Sequence, residues 1–319
     1  MQIFEKSSST ISGASKRNQN RLHLGFHYPR DHETRLQSKQ GFEWFVEHYG
    51  QLTAPISNNY YAVADSKSHI DFETYKIIME GTGLDFKIKK NTKFNGLSEL
   101  ILCDERVIRN DLASNYFNQI LNDKIKFNTY VDLNNIDVLN ALNENFDYII
   151  DCTWGTGRKI EGLDYYYEPC VYFYYKIKKG EKFALTIMDG NHYSLYPYYD
   201  DVYTLTSVEH TPLGQYQDFN DAISCLSKFK NNLDSIQEKR LIFEKEFMNY
   251  YPEFLEFFEY HSQEYSMKTK IKSSTDFRGC LVKREGKLIS VFSGKIDTLH
   301  IAEHKIMEII ENENNSIWG

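Results

Sequence analysis

Residues 13–29 read GASKRNQNRLHLGFHYP and are the stretch on which the fold prediction depends. The segment combines amides, basic side chains and two histidines with two leucines and a phenylalanine. It is too polar for a core strand and too apolar for a solvated loop. Gly13 and Ser15 allow a backbone to approach a diphosphate closely and to donate N–H groups to it. We therefore expect this segment to form the wall of a ligand site, with its apolar side chains toward the protein core.

A short apolar stretch lies upstream of this segment and ends in an acid, Glu5. A dinucleotide-binding fold places such an acid at the end of a strand, against the ribose hydroxyls of the adenosine. The glycine fingerprint G-x-G-x-x-G lies about 20 residues before that acid, which here falls before Met1. The stretches EGTGLD (80–85) and GTGRKIEG (155–162) have the wrong glycine spacing to replace it. The sequence therefore predicts an adenosine contact without the usual pyrophosphate-binding turn.

The middle of the chain alternates between strand, turn and helix. Residues 111–122 suit a helix, IKFNTYV (125–131) alternates like a strand, and FDYIIDCTWGTG (146–157) is an apolar strand that enters a glycine turn. Such alternation is typical of an α/β layer with parallel strand pairing.

Beyond Glu168 the pattern changes to short aromatic strands separated by turn residues, which favours an antiparallel sheet with one covered face. Two helices are predicted through residues 218–261, followed by the strands RGCLVKR and KLISVFSG and a last helix from Asp297. The sequence therefore predicts two interleaved units, one α/β and one antiparallel.

The composition restricts the classes of partner and the compartment. A net charge of −8, without any run of five or more basic residues, argues against a nucleic-acid or anionic-membrane partner. Five scattered cysteines without a C-x-x-C pair are typical of reduced thiols in a cytosolic protein. The start MQIFEKSSS lacks the pattern of a signal peptide, and no window approaches the roughly 18 apolar residues of a membrane span. We expect a cytoplasmic protein.

Taken in chain order, five stretches resemble the FAD-dependent oxidoreductases of the D-amino-acid oxidase-like family. IFEK is similar to the strand end whose acid contacts the FAD ribose, and GASKRNQNRLHLGFHYP looks like the segment beside the pyrophosphate and the flavin ring. FDYIIDCTWGTG resembles the late strand and turn on the adenine and phosphate side. FRGCLV and VFSGKIDT look like the closing strands and the helix start that face the flavin pyrimidine. The resemblance extends along nearly the whole chain.

This resemblance implies FAD as the cofactor and a set of site residues. The implied FAD contacts are Glu5, Gly13, Ser15, Arg17, Asn18, His23, Thr153, Gly155, Gly294, Lys295 and Ile296. Arg278 resembles the family arginine that pairs with a substrate carboxylate, although glycine follows it where proline is usual in the amino-acid oxidases. Lys295 and the helix start after Gly294 would bring positive charge to the flavin O2 region, where charge appears on reduction. Arg278 and Lys295 are therefore the catalytic candidates, and no amino acid is specified as substrate.

The resemblance also implies two domains built from alternating parts of the chain. The FAD-binding domain takes residues 1–56, 107–164 and 273–319, and the substrate domain takes residues 57–106 and 165–272. The predicted fold class is α/β, of the α+β two-domain kind. A partial Rossmann-like FAD-binding domain, without its first strand–helix unit, is interleaved with an antiparallel-sheet substrate domain.

The implied activity is oxidation of a C–N or C–O bond of a small molecule by hydride transfer to flavin. A catalytically silent homologue that acts as a binding protein is the alternative, because the pyrophosphate turn is unmatched. A zinc hydrolase is a minor alternative. Its basis is the H-x-x-E-H pattern of His300, Glu303 and His304, in which histidines at i and i+4 share a helix face. Both histidines flank the apolar stripe of that helix, and we predict no metal.

Overall fold

The computed structural model describes residues 1–273 and 277–317. Its helices are α1 (His32–Tyr49), α2 (Phe72–Gly81), α3 (Asn110–Leu121), α4 (Ile136–Asn145), α5 (Phe219–Lys230), α6 (Leu233–Phe247), α7 (Phe254–Phe257) and α8 (Leu299–Ile317). Its strands are β1 (Ile3–Phe4), β2 (Arg21–Leu22), β3 (Thr53–Pro55), β4 (Asn59–Val63), β5 (Lys87–Lys90), β6 (Glu99–Leu102), β7 (Arg106–Ile108), β8 (Ile125–Lys126), β9 (Ile149–Asp151), β10 (Tyr165–Ile177), β11 (Ala184–Met188), β12 (Tyr193–Tyr199), β13 (Val202–Ser207), β14 (Phe258–Ile271), β15 (Leu281–Glu285) and β16 (Leu288–Phe292).

Side-chain caps fix where several helices begin. The Asp31 carboxylate accepts the Thr34 N–H at 2.8 Å at the start of α1, and Asp71 accepts the Thr74 N–H at 2.7 Å at the start of α2. Each cap satisfies a backbone donor that has no partner within the helix itself. None of the helices within the described ranges combines the length and apolar character that a membrane crossing requires.

The largest sheet has eight strands in the order β14-β10-β13-β12-β11-β4-β6-β5. Its neighbours pair antiparallel except for β4 and β11, which run parallel, so the sheet is mixed and not purely antiparallel as predicted. The prediction of a helix through residue 261 was also wrong at its end. The last helical residue of that region is Phe257, and β14 follows at once because it pairs with β10 along nearly its whole length.

The large sheet buries one face and offers the other to a cavity. Alternate residues of β10, such as Phe173 and Tyr175, pack with Phe243 and Phe254 into the main aromatic core. Side chains in a strand alternate between the two faces, so the residues between them point the opposite way. That opposite face carries Glu168 and other polar groups and lines the cavity described below.

The α/β layer is shorter than predicted and lies in two pieces. β1 pairs parallel with β8, which ends at Lys126 and not at residue 131. After that point the chain turns, and the N–H groups of Asn128 and Thr129 bond to the carbonyls of Ser7 and Glu5. The second piece is the three-stranded sheet β15-β16-β9, in which β9 runs parallel to β16. Residues of both β1 and β9 line the same cavity.

Candidate active site

A cavity of about 2450 Å³ is lined by the polar face of the large sheet, by segment 13–29 and by the strand ends of the α/β layer. The twelve residues that the sequence predicted for the site all line this cavity. They are Glu5, Gly13, Ser15, Arg17, Asn18, His23, Thr153, Gly155, Arg278, Gly294, Lys295 and Ile296. The fold therefore brings together residues from the beginning, the middle and the end of the chain, while the role of each residue stays a prediction.

Glu5 and Gly13 lie on the amino-terminal side of the cavity. The Glu5 carboxylate follows β1 and accepts the Ser7 N–H at 2.8 Å, which leaves its other oxygen available to a ligand hydroxyl. A Cβ atom added at Gly13 would meet no other atom within 4 Å. The backbone at Gly13 is therefore open to the cavity.

The neighbouring side chains stabilise the loop itself. The Asn18 amide donates to the Ala14 carbonyl at 2.7 Å and to the Ser15 carbonyl at 3.3 Å. The Arg17 guanidinium lies 3.6 Å from the Glu264 carboxylate of the large sheet, with both side chains about half exposed. These contacts order the loop and connect it to the large sheet.

The turn after β9 is fixed by local hydrogen bonds. The Asp151 carboxylate accepts the Thr153 N–H at 2.8 Å, and the Thr153 hydroxyl accepts the Gly157 N–H at 2.9 Å. Gly155 has a φ of +72°, a conformation that favours glycine, and its carbonyl accepts the Tyr167 hydroxyl at 2.6 Å. Trp154 lines the cavity, and its buried indole N–H has no hydrogen-bond partner in the described part of the chain.

Arg21 forms the buried centre of the wall formed by segment 13–29. Its guanidinium donates to the Tyr61 hydroxyl at 2.9 Å and to the Ser194 hydroxyl at 2.6 Å, and it lies 3.8 Å from the centre of the Tyr196 ring. Tyr61 in turn donates to the Glu105 carboxylate at 2.7 Å. Burial lowers the pKa of Arg21, but Tyr61, Tyr196 and Glu105 raise it by more, so Arg21 stays charged. The tyrosine thus connects a buried cation to a buried anion.

His23 and His27 continue this wall, with ring centres 5.2 Å apart. His23 Nδ1 lies 3.8 Å from a Glu105 oxygen, and neither histidine Nδ1 has a hydrogen-bond partner among the described residues. Burial, followed by the positive charges of Arg21 and Lys295, lowers the pKa of His23 well below its usual value. Burial and the neighbouring His23 do the same to the pKa of His27. Both imidazoles are therefore neutral near pH 7.

Lys295 is buried and paired. Its ammonium lies 3.1 Å from an Asp297 oxygen and 3.9 Å from the centre of the Tyr28 ring, and it also bonds to the Ser38 hydroxyl. The side chain is only 5% exposed. Burial lowers the pKa of Lys295, while Asp297 acts in the opposite direction. The cation therefore borders the cavity as half of an ion pair and not as a free charge.

Arg278 lies next to α1, and its charge acts on Lys295. Its N–H donates to the Thr34 hydroxyl at 3.3 Å, and its guanidinium donates to the Phe277 carbonyl at 3.1 Å. The side chain lines the cavity, as a residue that orients a substrate would. Its role as a carboxylate-binding arginine stays a prediction.

Several cavity residues were not identified in the sequence. They include His27, Glu168, Asp189, Lys268 and Lys270, and Glu105 lies behind the wall, 3.8 Å from His23. Asp189 forms an ion pair with Arg30 at 3.1 Å, and Glu168 forms one with Lys270 at 2.6 Å. For Glu168, Lys268 and Lys270 the sequence offered one signal, the alternating pattern of β10 and β14. Side chains at every second position of a strand share a face.

These residues fit the ribose and isoalloxazine ends of FAD. Glu5 offers a carboxylate for ribose hydroxyls, Gly13 leaves open space at the backbone, and the unpartnered polar atoms of Trp154, His23 and His27 belong to residues that line the cavity. The sequence contains no G-x-G-x-x-G for the pyrophosphate between those ends. The fit therefore rests on these residues, with the open backbone at Gly13 beside the diphosphate in place of that fingerprint.

The zinc hypothesis finds no support in the geometry. His304 is 76% exposed and lies 3.5 Å from Glu308, while His300 is near the Trp44 ring. Among residues 1–273 and 277–317 no group of three or more potential ligands could hold a metal ion.

Curated relatives extend along almost the whole chain. The FAD-dependent monooxygenase FPY4 of Fusarium mangiferae is 36% identical over 319 residues, which are 98% of this chain and 85% of the relative. The FAD-dependent monooxygenase kojA of Aspergillus flavus is 24% identical, over 97% of this chain and 80% of the relative. No protein-family model matches the chain.

Solved structures share the fold. Glycine oxidase from Bacillus cereus has a TM-score of 0.63 and 13% identity, covering 98% of this chain and 89% of its own. The L-α-glycerophosphate oxidase of Mycoplasma pneumoniae, solved with FAD bound, has a TM-score of 0.62 and 12% identity, covering 92% of this chain and 84% of its own. At such low identity the likeness shows the fold alone.

Fold, cavity and relatives together define an enzyme of the flavin-dependent oxidoreductase class, and the predicted resemblance to the D-amino-acid oxidase-like oxidoreductases is confirmed. The chain belongs to the FAD-dependent monooxygenase family. FAD is its cofactor, and it acts on a small molecule. Neither the silent homologue nor the zinc hydrolase is supported by these comparisons.

Proposed function

We propose that this enzyme oxidises a C–N or C–O bond of a small molecule held between the polar face of the large sheet and the wall of residues 13–29. The observation that carries the proposal is that all the predicted flavin contacts and that polar face line one cavity. FAD, when bound, supplies the acceptor for a hydride from the substrate carbon.

The residues of the chain have three tasks in this scheme. Arg278 orients the substrate through a planar guanidinium, which suits a bidentate acidic group. His27 lines the cavity with a neutral imidazole that can hydrogen-bond the substrate. The ion pair of Lys295 and Asp297 and the Arg21–Tyr61–Glu105 network keep fixed charges in place around the wall. Such preorganised charges need no rearrangement during the reaction.

Monooxygenation is the second candidate, and the 36% identity to a protein named a monooxygenase favours it. In that reaction one atom of dioxygen enters the product and the other leaves as water, and a reductant supplies two electrons. In the first scheme both atoms leave as hydrogen peroxide, and the substrate supplies both electrons. The fate of the oxygen atoms therefore separates the two.

The test begins with the FAD-loaded protein under anaerobic conditions and a panel of small alcohols and amines. Bleaching of the flavin absorbance identifies a substrate that donates a hydride, and reoxidation under ¹⁸O₂ follows the oxygen. Peroxide with an unlabelled organic product supports oxidation, while a labelled product supports monooxygenation. A panel that bleaches no flavin and releases no peroxide contradicts the proposed oxidation.

We also propose a cytoplasmic location, from the scattered cysteines.

A further inference from the structure

The polar face of the large sheet carries an unbalanced positive charge where β10 and β14 meet. In the antiparallel register Glu168 stands directly opposite Lys268, and Tyr166 stands opposite Lys270. Directly opposite residues of opposite charge usually pair. Here the Glu168 carboxylate instead binds the diagonal lysine, with its Oε1 2.6 Å from Lys270 Nζ. Lys268 is therefore left without an ion pair within the described residues.

The other neighbours of Lys268 do not replace this carboxylate. Burial raises the pKa of the Cys170 thiol to about 11 and that of the Tyr172 hydroxyl to about 12, so both are neutral near pH 7. The Lys268 ammonium lies 5.5 Å from the centre of the Tyr172 ring. Among the described residues, two lysines thus share one glutamate, which leaves one positive charge in excess.

This excess charge borders the cavity. Glu168, Lys268 and Lys270 all line it, and Glu168 is only 2% exposed. Burial lowers the pKa of Lys268, but Cys170, Tyr172 and Glu168 raise it by more, so the side chain stays an ammonium and an anion entering the cavity gains both Coulomb energy and hydrogen bonds there. Lysine is a compact point charge with three donors. It binds a single oxygen without the planar geometry that arginine requires.

We propose that Lys268 binds an ionised oxygen of the substrate, supplied by a carboxylate or by an ionised enol. The proposal deepens the function proposed above and rests on it, because it assigns the substrate class of the same cavity. It also gives the polar face a specificity: neutral and anionic molecules are admitted, and cationic ones are repelled by the uncompensated ammonium.

The dye 4-nitrophenol tests this assignment, because it is an ionisable aromatic alcohol whose ionised form is yellow. The dye is titrated against the FAD-supplemented chain, and the pH midpoint of its colour change is compared between bound and free dye. We expect the bound midpoint to lie about one to two pH units lower, a tenfold to hundredfold preference for the ionised form. An unshifted midpoint of dye that is bound overturns the proposal, and so does dye that does not bind.

Variants connect the shift to this one side chain. Lys268→Met keeps the apolar stem and should abolish the shift, whereas Lys272→Met, on an exposed lysine paired with Asp164, should retain it. Glu168→Gln should lower the midpoint further, because it removes the carboxylate that acts on both lysines. This opposite sign keeps the test decisive if Lys268→Met does not fold. A shift that survives Lys268→Met, or one that Glu168→Gln reduces, contradicts the assignment.

Benzoate and the dye separate the two sources of the oxygen. Displacement of the dye by benzoate in the wild-type chain but not in Lys268→Met assigns the site to carboxylates, and dye binding that benzoate leaves unchanged assigns it to ionised enols. Flavin absorbance is recorded on the same samples. Loss of flavin with an intact dye shift contradicts the proposed oxidation and leaves the anion site standing, whereas retained flavin with an unshifted midpoint overturns the anion site alone.

Discussion

Replacement of Glu105 by glutamine should lower the free energy of unfolding, although Glu105 is connected to the buried Arg21 only through Tyr61. The Glu105 carboxylate is 1% exposed and accepts the Tyr61 hydroxyl at 2.7 Å and the Leu24 N–H at 2.9 Å. Hydrogen bonds to a charged group contribute about 1.5–3 kcal/mol each, and neutral ones about 1 kcal/mol. Replacing the carboxylate by a neutral amide should therefore weaken the two hydrogen bonds by about 2 kcal/mol in total.

The charge balance adds to that loss. Glu105 is the anion that Tyr61 connects to the buried Arg21, and removing one member of such a buried pair leaves an uncompensated charge. We expect Glu105→Gln to lower the free energy of unfolding by about 3 kcal/mol in total, measured by urea unfolding with circular dichroism. Glu80→Gln, on the exposed side of α2, should change it by less than about 0.5 kcal/mol. A loss below about 1 kcal/mol for Glu105→Gln would refute the role of this network.

Three further predictions concern the same wall. Gly25→Ala should lower the free energy of unfolding by about 2 kcal/mol, because Gly25 has a φ of +117° and the new Cβ would lie 3.0 Å from a backbone carbonyl oxygen. Thermal unfolding measures this loss, and an unchanged melting temperature would contradict it. The pKa of His27 is lower in the folded than in the unfolded chain, so the unfolded chain binds the proton first and stability should fall as the pH drops below about 6.5. His27→Gln should flatten the free energy of unfolding plotted against pH by up to about 1.4 kcal/mol per pH unit, measured by urea unfolding, and identical slopes would show that His27 does not titrate as described. Lys295→Met should lower the free energy of unfolding by about 3–5 kcal/mol, because it leaves Asp297 buried and unpaired. The double variant Lys295→Met/Asp297→Leu should lose less in the same urea assay. An equal or larger loss in the double variant would contradict the pairing.

Local features of the sequence predicted the elements that depend on local structure. The acid after β1, Gly13 and the turn after β9 each carry their geometry within a few residues, and all line the cavity. The end of the predicted helix at residue 261 was wrong because β14 gains its stability from pairing with β10, about 90 residues earlier in the chain. Pairing at that separation is not visible in local periodicity.

The charges of the site were the least predictable part. Lys295 was expected to face the ligand as a free cation, yet Asp297, two residues later, turns inward and pairs with it. Glu105 gave no signal in the sequence because its role depends on Tyr61 and Leu24, on other parts of the chain. Within the described residues Lys268 lacks an ion pair because Glu168 pairs with the diagonal Lys270. Such choices depend on the register between strands, which the sequence alone does not specify.

The central claim is that this cavity binds FAD with the diphosphate of the cofactor beside Gly13. A flavin titration tests this claim most directly. FAD is added to the purified chain, and flavin retained after gel filtration is measured by its absorbance. Gly13→Trp should fold normally, because a side chain there meets open space, yet it should block the cofactor; Gly81→Trp, equally open but at the end of α2, is the matched control. The account predicts retained flavin in the wild-type chain and in Gly81→Trp, and at least a tenfold loss in Gly13→Trp. Absence of flavin from the wild-type chain, or equal retention in all three, would contradict it.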